Sequence, residues 1–321
     1  MLSKEDVIYA YRILLGREPE DEAVVRHYAT EVHDLQSLRA LFINSAEFSA
    51  TLDQLKVPRP PRLQFNGPAM SVDLLSSDEK LSLLLSKTAQ QWQHLGETQP
   101  HWSVLTNDSY FQENFHSHRD VFYASGQVEL TQFVATLARS NIAIEDLKCC
   151  VELGCGVGRV TIPLAQRFQQ VWALDISDAH LQVAQHYANE KAVHNIGFKH
   201  LQQLEDINAL GDFDVVYSRI VLQHNPPPVM AALLNALLAQ LRPGGIAFFQ
   251  IPTYKAGYRF CLDEYLAQEN NNAMDMHFFP QAALFELLAN QHCKILEIRE
   301  DDAIGISLTS VSNTVLVLKQ F

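Results

Sequence analysis

Val151-Glu152-Leu153-Gly154-Cys155-Gly156-Val157-Gly158-Arg159-Val160, near the middle of the chain, decides the fold. Cys149 to Leu153 is an apolar run broken only by Glu152, the pattern of a buried strand. Three alternating glycines follow, and Val160, Ile162, Leu164 and Ala165 predict a helix that begins at Arg159. Strand, tight glycine turn and helix make a nucleotide-binding βα unit. Glycine lets the backbone bend sharply and lets a ligand lie against bare main chain. The free amides at the helix start then offer partial positive charge. The form is E-x-G-x-G-x-G and not G-x-G-x-x-G, because Arg159 stands where the last glycine would be.

The residues downstream fit the same unit. Val171-Trp172-Ala173-Leu174-Asp175 is a second buried strand that ends in a carboxylate, about twenty residues after the first glycine. An acid at that strand tip can accept both hydroxyls of a ribose lying over the turn. Ser177 or Asp178 caps the next helix, marked by Leu181, Ala184, Tyr187 and Ala188. Phe213 to Ser218 is a further apolar strand, and Leu241-Arg242-Pro243-Gly244-Gly245 closes a helix before strand Ile246–Ile251. The motifs VELGCGVGR, ALDIS, FDVVYSRIVLQH and LRPGGIAFFQIP, in this order and spacing, resemble the class I S-adenosylmethionine (SAM) dependent methyltransferases over roughly residues 100 to 320.

That resemblance implies an α/β fold: a doubly wound, mostly parallel seven-stranded sheet. Strands and helices alternate from Cys149 to Ile251, as a parallel sheet demands. Lys294–Glu300 and Asn313–Lys319 follow with no helix between them and read as an antiparallel pair completing the sheet. The resemblance also implies SAM as cofactor. Glu152, Gly154, Gly156 and Gly158 then bound its methionine side, Asp175 holds the ribose and Ile176 packs on the adenine. Cys155, Arg159 and Ser218 complete the candidate cofactor set. The family often places an acid after the third strand to meet the adenine amino group; here Gln202 or Gln203 stands there instead.

On the acceptor side the candidates are fewer, because the methyl of SAM is already activated and the enzyme mainly holds donor and nucleophile in line. A hydroxyl nucleophile gains from a base near neutral pKa, and histidine is the usual choice. His224 and His277 are the catalytic candidates; each has a plainer role available, bracing the turn before Pro226 or packing among Phe278 and Phe279. Arg219 and Tyr254 are candidate acceptor-binding residues. The irregular stretch from Thr253 to Pro280 stands at the carboxyl end of its strand, where ligands bind in open α/β sheets, and reads as the acceptor-side wall.

Ahead of the sheet lies a separate all-α domain, residues 1–56. Val7, Tyr11, Leu14 and Leu15 recur at helical spacing before Gly16-Arg17-Glu18-Pro19 ends the helix, and helices follow near Asp21–Glu31 and Leu35–Phe42. Y-R-x-L-L-G-R-E-P with a later N-S-A-E-F resembles a small helical module of unknown function in bacterial polysaccharide-related proteins; a plain helical cap is the other reading. Residues 57–72 read as a proline-rich linker, and 73–321 as the methyltransferase domain. There a helix runs from about Ser77 to Leu95, Trp102 to Gly126 is irregular and aromatic, and Leu130 to Ser140 is helical.

Composition narrows the partners. The 321 residues carry a net charge of −13 with no Lys/Arg run, which argues against nucleic acid or an anionic membrane. Five scattered cysteines make no disulfide framework, and no apolar run reaches spanning length, so a cytoplasmic protein is expected. Asn225-Pro226-Pro227-Pro228 looks like the N-P-P-aromatic box of amino-directed DNA methyltransferases, but six residues separate it from its strand and no aromatic ends it. Proline in a first helical turn explains it better. His116-x-His118 has no carboxylate or cysteine cluster beside it, and no metal is expected. The reading is a SAM-dependent methyltransferase, acting on an oxygen of a small molecule or a sugar or polysaccharide precursor. The alternatives are a non-catalytic SAM-binding or scaffold protein and a nicotinamide-dependent oxidoreductase, the latter disfavoured by Arg159 and by the antiparallel ending.

Overall fold

The computed structural model describes residues 2–48, 68–268, 274–305, 307 and 309–321. Most of the proline-rich stretch (57–67) and the Asn270–Asn272 run lie outside the described residues. The chain divides into two compact units, Met1–Gln64 and Phe65–Phe321.

In the first unit, Ser3 and Asp6 form a reciprocal capping box on α1 (Lys4–Ala10). A π-helical turn over Tyr11–Leu15 ends at Gly16, whose φ of +68° suits a residue without Cβ. Asp21 caps α2 (Glu22–Glu31) and Asp34 caps α3 (Leu35–Ile43). The helices bury Val7, Tyr11, Val25, Leu38 and Phe42 in one small core. Arg17 of G-R-E-P forms a bidentate pair with Glu47 of N-S-A-E-F, so the two quoted motifs meet.

The second unit holds a seven-stranded sheet. Its strands in chain order are β2 (Cys149–Leu153), β3 (Gln170–Asp175), β4 (Ile196–His200), β5 (Phe213–Ser218), β6 (Leu241–Lys255), β8 (Cys293–Asp301) and β9 (Ser310–Lys319). They lie in the order β4-β3-β2-β5-β6-β9-β8. Pairing is parallel from β4 through to β6 and antiparallel at β6–β9 and β9–β8, as expected. The short strands β1 (Ser71–Val72) and β7 (Arg259–Phe260) pair separately.

Alternation along each strand sends residues to two cores. Val151, Leu153, Val216 and Phe249 pack with α9 (Pro227–Gln240), α11 (Gln281–Asn290) and α4 (Asp78–Thr98). Cys150, Val215, Tyr217 and Phe248 pack with α5 (Phe115–Arg139) and α6 (Thr161–Ala165). The remaining helices are α7 (Asp178–Glu190), α8 (Glu205–Asn208) and α10 (Leu262–Ala267).

Three expectations change. Helix α5 is one 25-residue element, where Phe115 to Gly126 was expected to be irregular. Phe115, Phe122, Gly126, Leu130, Phe133 and Leu137 recur at helical spacing, and Gly126 is no breaker. A Cβ there would lie 1.9 Å from the carbonyl oxygen of Arg159, so glycine lets α5 press against the turn. Helix α6 starts at Thr161 rather than Arg159, because Gly158 at φ +83° keeps the next residues in the turn. Strand β6 reaches back to Leu241, with Arg242–Gly245 bulging between the pairs Phe213–Leu241 and Val215–Ile246. Ser77 caps α4, accepting from the Lys80 amide. Among the described residues, no helix is long and apolar enough to cross a membrane.

Candidate functional site

A cleft with about 940 Å³ of empty space, part of it open to solvent, lies at the carboxyl ends of β2, β3 and β5. Its floor is the glycine turn. The amides of Gly154 and Cys155 both donate to the carbonyl of Leu174, which ties the turn to the end of β3. Gly154 and Gly156 have positive φ and no room for a side chain: a Cβ would lie 2.3 Å from Val221 or 2.7 Å from Val104. Both line the cleft with Cys155. Gly158 does not; it packs on Ala184 of α7.

Asp175, buried at the tip of β3, holds the turn from the other side. Its Oδ2 accepts from the Gly156 amide at 2.8 Å and its Oδ1 from the Ser177 amide at 2.9 Å. Ile176 lines the cleft beside it. Thus Glu152, the first glycines, Asp175 and Ile176, spread over more than twenty residues in sequence, line one cleft.

A buried polar network backs this floor. Glu152 is 3% exposed and its Oε2 has no hydrogen-bond partner. Burial pushes its pKa up to about 7, while Thr161 and Arg159 pull it down. Arg159 donates to Ser125 Oγ at 3.1 Å and lies 3.6 Å from Glu129 on α5, but its Nε is unpartnered. Arg219 donates to Thr314 Oγ1, and its Nε lies 3.3 Å from Glu129 without hydrogen-bond geometry. The Tyr217 hydroxyl is also unpartnered. Orphaned buried polar atoms are costly. Here Glu152, Arg159, Tyr217 and Arg219 all line the same cleft, which accounts for them if a polar ligand completes the set.

Helix α4 supplies the opposite wall through Leu85, Thr88 and Trp92. It docks on α7 because Gly96 leaves room for His180: a Cβ there would lie 2.7 Å from Nδ1. His180, fully buried and held neutral by burial, pairs through Nε2 with Ser103 Oγ at 2.8 Å. That contact pins the segment carrying Val104 over the glycine turn.

Beyond Ile220 the cleft opens into a second cavity with about 1,280 Å³ of space, and the two share Ser103, Val104 and Ile220. Ile220 has φ +59°, rare for a β-branched residue, and its amide donates to Gln250 Oε1. His224 lines this second cavity, with Trp92 edge-on at 5.3 Å. Its Nδ1 lies 3.3 Å from the Asp275 carbonyl, which assigns the proton to Nδ1 and leaves the Nε2 lone pair toward the Gln223 side chain. Burial lowers its pKa to about 4.

The other sequence candidates fall elsewhere. His277 is buried and lines neither cavity; its Nδ1 meets the Tyr258 hydroxyl at 2.9 Å and its ring packs against Phe260 and Tyr265. Gln202 and Gln203 are exposed, and their amides bind Asp206; Leu201 faces the cleft instead. Ser218 turns its hydroxyl to the Leu153 carbonyl, bracing β5 on β2. Tyr254 donates to the Pro68 carbonyl, away from both cavities. Arg219 does line the cleft. Sequence reasoning missed Trp92, Ser103, Glu129, His180, Tyr217 and Gln223. Of these only Trp92, on the apolar stripe of a helix already expected, carried a usable signal.

A family model described as a methyltransferase domain matches residues 150–245, from β2 to the bulge in β6. The chain is 36% identical over 104 residues to a trans-aconitate 2-methyltransferase of Deinococcus radiodurans, covering 32% of this chain and 37% of that protein. It is 31% identical over 104 residues to a ubiquinone biosynthesis O-methyltransferase of Acinetobacter baylyi, covering 32% of this chain and 42% of that protein. The chain thus spans less than half the length of these curated relatives. Among solved structures, magnesium protoporphyrin IX methyltransferase from Synechocystis PCC 6803, with bound S-adenosylhomocysteine, is similar at a TM-score of 0.51 and 20% identity. That match covers 74% of this chain and all of the other. The fold is the Rossmann-like methyltransferase fold.

Proposed function

We propose that this chain is a SAM-dependent methyltransferase that methylates an oxygen of a small molecule. The observation that carries the reading is the convergence of Glu152, Gly154, Gly156, Arg159 and Asp175 on one cleft, with polar atoms there left unpaired. These residues fit the cofactor. Asp175 keeps lone pairs for ribose hydroxyls after its two backbone contacts. Glu152 offers an acceptor for an ammonium group, Arg159 a donor for a carboxylate, and Leu85, Ile176 and Leu201 an apolar bed for the base. When bound, the cofactor supplies a methyl group whose C–S bond breaks, with its electron pair kept on sulfur, as the C–O bond to the acceptor forms.

The chain then has two tasks, positioning and the acceptor's proton. Val104 and Ile220 line both cavities and Trp92 the first, so apolar side chains stand at the junction. His224 lines the second cavity as a neutral imidazole; its Nε2, which accepts from the Gln223 amide at 3.2 Å, takes the hydroxyl proton once the acceptor displaces that amide. A sugar or polysaccharide precursor as acceptor rests on the likeness of the N-terminal helices alone, which is an association and not a mechanism. The test is thermal: S-adenosylhomocysteine at about a hundred times its dissociation constant stabilises by roughly 2.7 kcal/mol, and NADH gives no shift. Stabilisation by NADH but not by S-adenosylhomocysteine would overturn the reading.

A further inference from the structure

Two guanidiniums stand close together in the cofactor cleft, and one carboxylate lies between them. Arg159 belongs to the glycine turn and Arg219 follows the end of β5; both line this cleft and neither lines the second cavity. Glu129 of α5 has one oxygen 3.6 Å from Arg159 Nη2 and the other 3.3 Å from Arg219 Nε. The three side chains are only 6% to 15% exposed, so solvent screens these contacts little.

Each guanidinium is anchored from behind. Arg159 donates to Ser125 Oγ, one turn before Glu129 on α5, and Gly126 lets that face approach the turn. Arg219 donates to Thr314 Oγ1 at 2.8 Å, and Thr314 in turn donates to Asp301 at 2.7 Å. The contacts to Glu129 lack hydrogen-bond geometry: Arg219 Nε is unpartnered, and the 3.6 Å to Arg159 is too long. Glu129 therefore holds the pair by charge and uses up none of the guanidinium donors.

Positive charge is left over. Burial pushes Glu152 toward its neutral form, and Asp175 has both oxygens on backbone amides. Glu129 is then the one acid directly beside two cations, whereas buried charges ordinarily come paired. An anionic group on a ligand supplies the missing partner, and SAM carries one carboxylate.

We infer that Glu129 is a positioning residue for the cofactor's amino-acid tail, holding Arg159 and Arg219 together as a two-guanidinium seat for its carboxylate. This rests on the SAM-binding reading above and moves Arg219 from the acceptor to the cofactor. Without the Glu129 charge the two guanidiniums repel each other and part. Glu129 lies ahead of residues 150–245, the stretch that the family model matches, so the seat depends on a helix outside it.

The test is titration calorimetry on the full chain with two probes, S-adenosylhomocysteine and its decarboxylated analogue. The analogue keeps the adenine, ribose, thioether and ammonium and lacks only the carboxylate. Wild type should bind S-adenosylhomocysteine about ten- to a hundredfold more tightly than the analogue, the scale of a hydrogen bond to a charged group. Glu129→Gln should collapse that ratio to within a few-fold, and Glu129→Asp, which keeps the charge, should restore part of it. A merely structural role lowers both affinities together and leaves the ratio unchanged, and that result overturns the inference. Equal affinities in wild type overturn it too. Arg219→Met carries the test if Glu129→Gln does not fold: the same collapse is expected, and an unchanged ratio refutes the seat. Failure of wild type to bind S-adenosylhomocysteine sinks the parent reading instead, so the two failures are distinguishable.

Discussion

The carboxylate of Asp175 accepts the Gly156 amide at 2.8 Å, joining the tip of β3 to the middle of the glycine turn. Its other oxygen accepts the Ser177 amide at the start of α7. The residue therefore shapes the site as well as facing the ligand. Asp175→Ala should lose the S-adenosylhomocysteine shift and also lose stability, since each buried amide left unpaired costs about 1–3 kcal/mol. Asp175→Asn, which keeps one carbonyl oxygen, should fall between. Urea unfolding and titration calorimetry separate the effects; full stability with lost affinity would confine Asp175 to ligand binding.

Glu152 gives the unliganded protein a pH signature. Its folded pKa of about 7 lies above the unfolded value, so the folded state holds an extra proton between about 4.5 and 7. Stability from this group is therefore lost as pH rises through that window, on the order of 3 kcal/mol at most. Glu152→Gln should abolish that slope and raise the unliganded midpoint at pH 8, while weakening S-adenosylhomocysteine. Equal slopes for wild type and variant between pH 5 and 8 would show that Glu152 does not titrate there.

The parallel sheet with its antiparallel ending was legible because β2, β3, β5 and β6 carry short runs of Val, Ile, Leu and aromatic residues, and because no helix separates β8 from β9. Glu152, Asp175 and the glycines were legible through spacing. The cleft's other wall was not. Trp92, Ser103 and Val104 reach the turn only because Gly96 lets α4 dock on His180, a contact between residues 84 apart. Gln202 and Gln203 failed for a local reason: Asp206 binds both of their amides and turns Leu201 inward.

Gly126 tests the contact that local pattern concealed. Gly126→Ala places a methyl group against the carbonyl of Arg159, and backbone cannot yield as a side-chain tip can. Overpacking of this kind costs about 1–3 kcal/mol, and the displaced turn should also weaken S-adenosylhomocysteine several-fold. An exposed control, Ser117→Ala on the same helix, should change neither. If Gly126→Ala binds and melts like wild type, α5 does not set the turn.

The boundary between the units makes a prediction about truncation. Ser71–Val72 pairs with Arg259–Phe260, and the Asp73 carboxylate accepts the Leu262 amide at the start of α10. A fragment of residues 65–321 should fold and bind S-adenosylhomocysteine, because the unit has its own core. One starting at residue 74 should lose both contacts and show faster proteolysis around Tyr258. Aggregation of the longer fragment, with the full chain soluble, would show that the N-terminal helices are needed for folding.

The two histidines separate chemistry from packing. His277 sits under Phe260 and Tyr265 with its Nδ1 on the Tyr258 hydroxyl. Truncating it leaves a cavity and an unpaired hydroxyl, so His277→Ala should cost about 2–4 kcal/mol and leave kcat per folded molecule within a few-fold. His224 lines the second cavity, and its Nε2 accepts from the Gln223 side-chain amide at 3.2 Å. His224→Ala should lower kcat about 10²–10⁴-fold with S-adenosylhomocysteine affinity held. Both side chains have folded pKa values lowered to about 4 by burial, below the unfolded value near 6.5. Their stabilisation is therefore complete above pH 6.5 and is lost as pH falls toward 4. Each alanine variant should lose about one proton from the acid-unfolding slope, while only His224→Ala changes the pH profile of kcat. Full turnover by His224→Ala with the true acceptor would mean that the reaction proceeds by positioning alone.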